Sequence, residues 1–251
     1  MPISTIIILI AIILMTLLVP LGVMFALRRR GGTWTAFLTG AGTFVLFAMV
    51  LEPILHNLVL RSPVGAAIQQ NILLYALYGG LAAGLFEETG RLLAFRFVLK
   101  TRAARITALS YGIGHGGIEA FLVMGLSMIA NLSLGLAYTS GAPLPAETAA
   151  AAEIILSTPA GMFLWGGLER LLAMALHMAL SVLVFASVRT GRRLLFPAAI
   201  AVHAGVNFAA VAANARLPIA ATEAVVLLLT ALACLWAARI YKNLRENAKI
   251  S

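Results

Sequence analysis

Residues 6–27 read IIILIAIILMTLLVPLGVMFAL, and Arg28-Arg29-Arg30 follow directly. An unbroken apolar run of this length spans the hydrocarbon core of a bilayer as an α-helix. It is too long for a signal-peptide core, has no basic residue before it, and reads as a span followed by an orientation signal. The rest of the chain repeats the pattern. It is 62% hydrophobic and 11% charged, with mean hydropathy +1.01 and no Asp, whereas soluble domains hold about half apolar and a quarter charged residues. No polar stretch is long enough for a separate soluble domain. The single Cys234 lies in the last apolar run, so disulfides take no part.

The expected fold is all-α: a polytopic transmembrane bundle forming one membrane domain over 1–251. Seven spans are expected, near 4–27, 34–59, 71–99, 105–138, 160–188, 194–214 and 218–240. The third and fourth exceed what a bilayer needs, so they must tilt, kink or project. Glycines at 79, 80, 84 and 90 in the third, and at 112, 114, 116 and 117 in the fourth, allow close helix contact or a local break.

Basic residues alternate between loops. Arg28–Arg30, then Lys100, Arg102 and Arg105, then Arg189, Arg192 and Arg193, then Arg239, Lys242, Arg245 and Lys249 fall on one side; Arg61 and Arg216 fall on the other. The positive-inside rule then places the N-terminus outside and the C-terminus in the cytoplasm. The net charge of +9 is distributed as loop charge, which argues against a nucleic-acid partner and for the lipid bilayer. The long segment at 139–159 is expected to be a plain connecting loop. No repeat of 20–50 residues and no inverted repeat is evident.

Charge inside the spans needs a reason. Arg91, Arg96 and Arg170 lie there, with Glu52, Glu87, Glu88, Glu119, Glu169 and Glu223. Each charge costs about 2.5–3.5 kcal/mol at mid-membrane on insertion scales, so these groups should face a cavity or one another. At a rise of about 1.5 Å per residue from the basic end, Glu87 and Glu88 lie ~17 Å deep, His115 ~15 Å, His177 ~17 Å and His203 ~14 Å. Agreement in depth across four helices is what a shared site would produce. Arg91 is spaced to neutralise Glu87 or Glu88 and leave the other available. His115 and Glu119 share a face, as do His203 and Asn207. Glu52, His56, Glu169 and Arg170 form a second group in the outer half, more readily structural; Glu52 and His56 pair with Arg170 or line an opening. Arg96 is near enough to the basic end to snorkel.

Imidazoles on separate helices suit zinc, and a nearby carboxylate can take a proton from water, with or without a metal. An amide such as Asn207 can donate to an oxyanion. Taken singly, each residue also has a structural reading, as a buried ion pair or a hydrogen bond across the bundle.

In chain order, Glu87-Glu88-Thr89-Gly90-Arg91 (EExxR), His115 to Glu119 (HxxxE) and His203 to Asn207 (HxxxN) resemble intramembrane proteases related to the CAAX prenyl endopeptidases and to PrsW, and most closely the YhfC group. The segment from Glu169-Arg170 to His177 is also similar to that group. The resemblance implies an intramembrane metalloendopeptidase with a catalytic core near 71–214, acting on a membrane-embedded or membrane-proximal peptide in a bacterial plasma membrane. Glu87 or Glu88 would activate water, with Arg91 neutralising, Glu119 supporting and Asn207 stabilising the oxyanion. His115, His177 and His203 would hold a divalent metal, zinc above others, or orient water. Two residues rather than three separate Glu88 from Arg91, and Asn207 stands where PrsW-like proteins favour Asp. Two other functions use the same residues: a proton-coupled transporter, and a non-catalytic interaction or immunity protein on a protease-like scaffold.

Overall fold

A computed structural model describes residues 1–244, so Arg245 and Lys249 of the last basic cluster lie outside the described residues. The described chain is helical throughout, with no strand. The elements are α1 (Ile3–Arg28), α2 (Trp34–Phe44), α3 (Glu52–Leu60), α4 (Pro63–Gln70), α5 (Ile72–Leu93), α6 (Ile106–Ala120), α7 (Leu126–Thr139), α8 (Ala146–Ser157), α9 (Ala160–Thr190), α10 (Leu195–Asn214) and α11 (Ile219–Asn243).

Three π-helical segments join pairs of these helices or extend them. Val45–Leu51 links α2 to α3, Phe121–Gly125 links α6 to α7, and Ala94–Val98 continues α5. The first precedes Pro53, which lacks an N–H and crowds the carbonyl four residues earlier; wider turns accommodate that clash. The break in the fourth expected span falls at Phe121–Gly125, just after its glycines, while the glycines themselves serve close packing.

Among the described residues six helices are long and apolar enough to cross a membrane: Ile3–Arg28, Trp34–Leu60, Ile106–Thr139, Ala160–Thr190, Leu195–Asn214 and Ile219–Asn243. The third expected span is helical over Ile72–Leu93 but is not among the six. Two tyrosines, several glycines and the Glu87-Glu88 pair dilute its apolar character. The segment 139–159 is a correction: it carries α8, where a plain loop was expected. Ala-rich sequence after Pro145 favours a helix, and Tyr138 donates to Glu153 at 2.7 Å to hold α8 against α7.

The bundle is built around α9. In its apolar window 67% of residues are buried, against 17–28% in the other five candidate spans. Helix α6 packs on α2 and α9, α5 packs along α10, and α11 covers α9. Large apolar side chains such as Ile7, Leu18 and Phe25 on α1 stay exposed, which suits a lipid-facing surface. The chain is therefore an integral membrane protein whose polar groups are drawn inward.

Candidate functional site

Close helix approach creates the site. A methyl group at Gly116 on α6 would fall 2.9 Å from Met174 Cα and 3.2 Å from His177 Cβ on α9. One at Gly80 on α5 would fall 2.6 Å from the Ala204 carbonyl oxygen on α10, and one at Gly84 2.9 Å from that of Ile200. Without side chains at these points the backbones touch, and polar residues on four helices can meet. Helix α5 brings Glu87, Glu88 and Arg91, α6 brings His115 and Glu119, α9 brings Arg170 and His177, and α10 brings His203 and Asn207.

Glu88, Arg91 and His115 are wholly buried; His177, His203 and Glu87 nearly so. Arg91 pairs with Glu88 through both carboxylate oxygens, the partner three residues away. Its Nη2 also donates to His177 Nδ1 at 3.0 Å. The opposite nitrogen of that ring, Nε2, lies 2.5 Å from Glu119 Oε2. An arginine can only donate, so His177 accepts at Nδ1 and carries its proton on Nε2, at ion-pair distance from Glu119 Oε2 though not aligned for a hydrogen bond to it.

The other two imidazoles are held in the same manner. His203 Nδ1 donates to Glu88 Oε1 at 2.9 Å, which leaves Nε2 as a lone-pair donor 3.9 Å from Glu87 Oε1. His115 Nε2 donates to Glu87 Oε2 at 2.7 Å, while its Nδ1 is buried without a hydrogen-bond partner. The three rings stand in sequence, with centroids 4.7 Å apart for His115 and His177 and 5.2 Å for His177 and His203.

Glu87, His177 and His203 each present one donor atom, all within 4.8 Å of one another. A carboxylate and two imidazoles on three helices fit a zinc-type ion, and each imidazole is turned by a second carboxylate, Glu119 or Glu88. Arg91 is the opposing feature: its Nη2 occupies the His177 Nδ1 lone pair, so an ion there would displace that contact. His115, expected as a third imidazole ligand, lies against Glu87 and outside this group of three. Glu119, sharing a face with His115, reaches His177 instead.

The outer group connects to the centre. Arg170 Nη1 donates to Glu119 Oε1 at 2.8 Å and its Nη2 to Glu169 Oε1 at 2.5 Å, so Glu169, Arg170, Glu119 and His177 form one chain of contacts. Glu52 pairs with His56 at 3.1 Å rather than with Arg170, and His56 Nδ1 meets Tyr78 Oη at 2.9 Å. A small cavity of about 70 Å³ lies among Glu87, Glu119, Arg170, His177, His203 and Asn207. A wider one of about 400 Å³ shares Glu87, Glu119, Arg170 and Asn207 and extends past Glu52, His56 and Tyr78. Tyr78 and Thr230, on the walls of these cavities, carry no sequence signal that singles them out.

Residues 14–229 match the sequence model of the YhfC intramembrane metalloproteases. The chain belongs to the YhfC family. It is also 36% identical, over 236 residues, to the Bacillus subtilis (strain 168) relative named "Uncharacterized membrane protein YhfC", covering 87% of this chain and 90% of that protein. No solved structure matches the chain. The YhfC match runs from within α1 to within α11 and so includes every residue of the glutamate–histidine site.

Proposed function

We propose that this chain is an intramembrane peptidase in which Glu87 takes the proton from the water that attacks a peptide carbonyl. The observation that carries the reading is the buried meeting of Glu87 with His177 and His203, each imidazole oriented by its own carboxylate, at the end of an open cavity. The family description supports it independently.

Residue accounting selects Glu87. Glu88 has both oxygens on Arg91 and one of them also on His203; Glu119 has one oxygen on Arg170 and the other on His177. Glu87 has Oε2 on His115 and an Oε1 with no partner closer than 3.9 Å. In the proposed reaction the water oxygen bonds to the carbonyl carbon and its proton passes to Glu87. Asn207, which lines the cavity, donates to the oxygen that gains charge. The C–N bond then breaks and Glu87 returns the proton to the leaving amine.

His177, His203 and one carboxylate oxygen of Glu87 would hold a divalent ion, zinc by donor type, with the other oxygen of Glu87 then taking the proton. Such an ion supplies Lewis acidity, polarising a carbonyl and making water a better nucleophile at neutral pH. The Arg91–His177 contact supports an alternative to this metal-bound form, in which Glu87 and the imidazoles activate water without an ion. The substrate is a membrane-embedded or membrane-proximal peptide. The basic loops face the cytoplasm of a bacterium, and α5, third in chain order, spans the membrane with the six more apolar helices.

The test is to compare amino termini of membrane proteins, by mass spectrometry, in cells making equal amounts of wild type or Glu87→Gln. The reading expects termini within or beside spanning segments that appear with wild type and vanish with the variant. Identical profiles, with both proteins folded and in the membrane, would overturn it and leave a binding or transport role.

A further inference from the structure

A cavity of about 680 Å³ lies at the basic end, apart from the glutamate–histidine site. Leu92 from α5, with Arg96 and Lys100 from the segment that follows, forms one wall; Arg189 near the end of α9, Arg193 in the turn before α10 and Phe196 at the start of α10 form the other. Arg189 is only 5% exposed. Its Nη atoms donate to the backbone carbonyls of Leu99, Lys100 and Arg102 at 2.8–3.1 Å, and its Nε is buried without a partner. Neutral carbonyls hold the guanidinium in place and leave its charge uncompensated.

The other three cations are in the same position. Arg96 lies over the Phe97 ring, and none of Arg96, Lys100, Arg189 or Arg193 forms an ion pair with a carboxylate among the described residues. The described glutamates are elsewhere: in the central site and its opening, on α8, or at the start of α11. Four positive groups around one concavity repel unless an anion enters, and no described carboxylate lies there. The N-terminus of α10 adds positive potential to the same wall. The flank of the cavity is apolar: Leu92 and Phe196 line it, and Phe97 and Val98 beside it are 60% and 65% exposed, as lipid-facing residues are.

We propose that this cavity is a binding site for an anionic phospholipid of the leaflet at the basic end. Arg96, Lys100 and Arg193 take the phosphate, Arg189 supplies a fixed charge behind it, and Leu92 and Phe196 border the upper acyl chain. A basic pocket between membrane helices at this level matches anionic headgroups in charge and position. This site is independent of any peptidase activity.

Native mass spectrometry of the purified full chain, titrated with phosphatidylglycerol or phosphatidylcholine, tests it. Wild type is compared with Arg96→Gln/Lys100→Gln/Arg193→Gln, with the charge-preserving Arg96→Lys/Arg193→Lys, and with Arg28→Gln/Arg29→Gln/Arg30→Gln, which removes equal charge from the same end. The proposal expects wild type to prefer phosphatidylglycerol, the pocket triple variant to lose at least about tenfold in affinity, and the other two to stay near wild type. Equal loss in both triple variants, or no preference in wild type, would overturn it. Displacement of the lipid by inorganic phosphate would also do so, assigning the cavity to a free anion.

Discussion

His177 Nε2 lies 2.5 Å from Glu119 Oε2, across the α6–α9 interface, and this contact turns Nδ1 of the same ring toward Glu87. Glu119 is itself fixed by Arg170, so the orientation of His177 depends on a residue from the outer group.

Glu119→Gln should therefore act through His177. Loss of a carboxylate behind an imidazole ligand lowers metal affinity about 10- to 100-fold. Zinc titration of the purified variant should show that loss, with excess zinc restoring much of the cleavage. Unchanged zinc affinity would remove Glu119 from this role.

The Glu88–Arg91 pair is wholly buried, so breaking it from one side leaves a bare charge. Glu88→Gln or Arg91→Met alone should cost about 3–5 kcal/mol. The double variant should lose less than the sum of the two, because it leaves no unpaired ion. Unfolding in detergent measures both.

Adjacent glycines on α5 should respond oppositely to a methyl group. Gly80→Ala drives Cβ to 2.6 Å from the Ala204 carbonyl oxygen and should destabilise by about 1–3 kcal/mol. Gly79→Ala meets nothing within 4 Å and should be neutral or stabilising by up to about 1 kcal/mol, since alanine is the better helix former. Thermal unfolding of the two variants checks the α5–α10 contact directly.

Much of this arrangement is legible in the chain. Long apolar runs identify an all-helical membrane protein, and depth along each run brings Glu87, Glu88, His115, His177 and His203 to one level. The spacing of Arg91 shows that it neutralises one of the two glutamates, but does not decide which. That depends on side-chain direction at positions three and four residues away, where tertiary contacts with His203 and His177 select Glu88. Arg170 is less legible. Spacing puts Arg170 two turns from His177 on one face of the helix, but its partner Glu119 is 51 residues distant, so local periodicity does not show the bridge through that carboxylate. The unequal roles of the imidazoles are likewise invisible in spacing. They arise from which ring nitrogen meets a carboxylate, set by the close approach of α6 to α9 and of α5 to α10.

The central claim is that Glu87, His177 and His203 form one donor set, while His115 holds Glu87 from outside it. The most direct test is metal content per chain after purification without chelators, for wild type, His177→Gln/His203→Gln and His115→Gln. The account predicts about one zinc in wild type, none in the double variant and retention in His115→Gln. No metal in wild type, or loss in His115→Gln as complete as in the double variant, would contradict it.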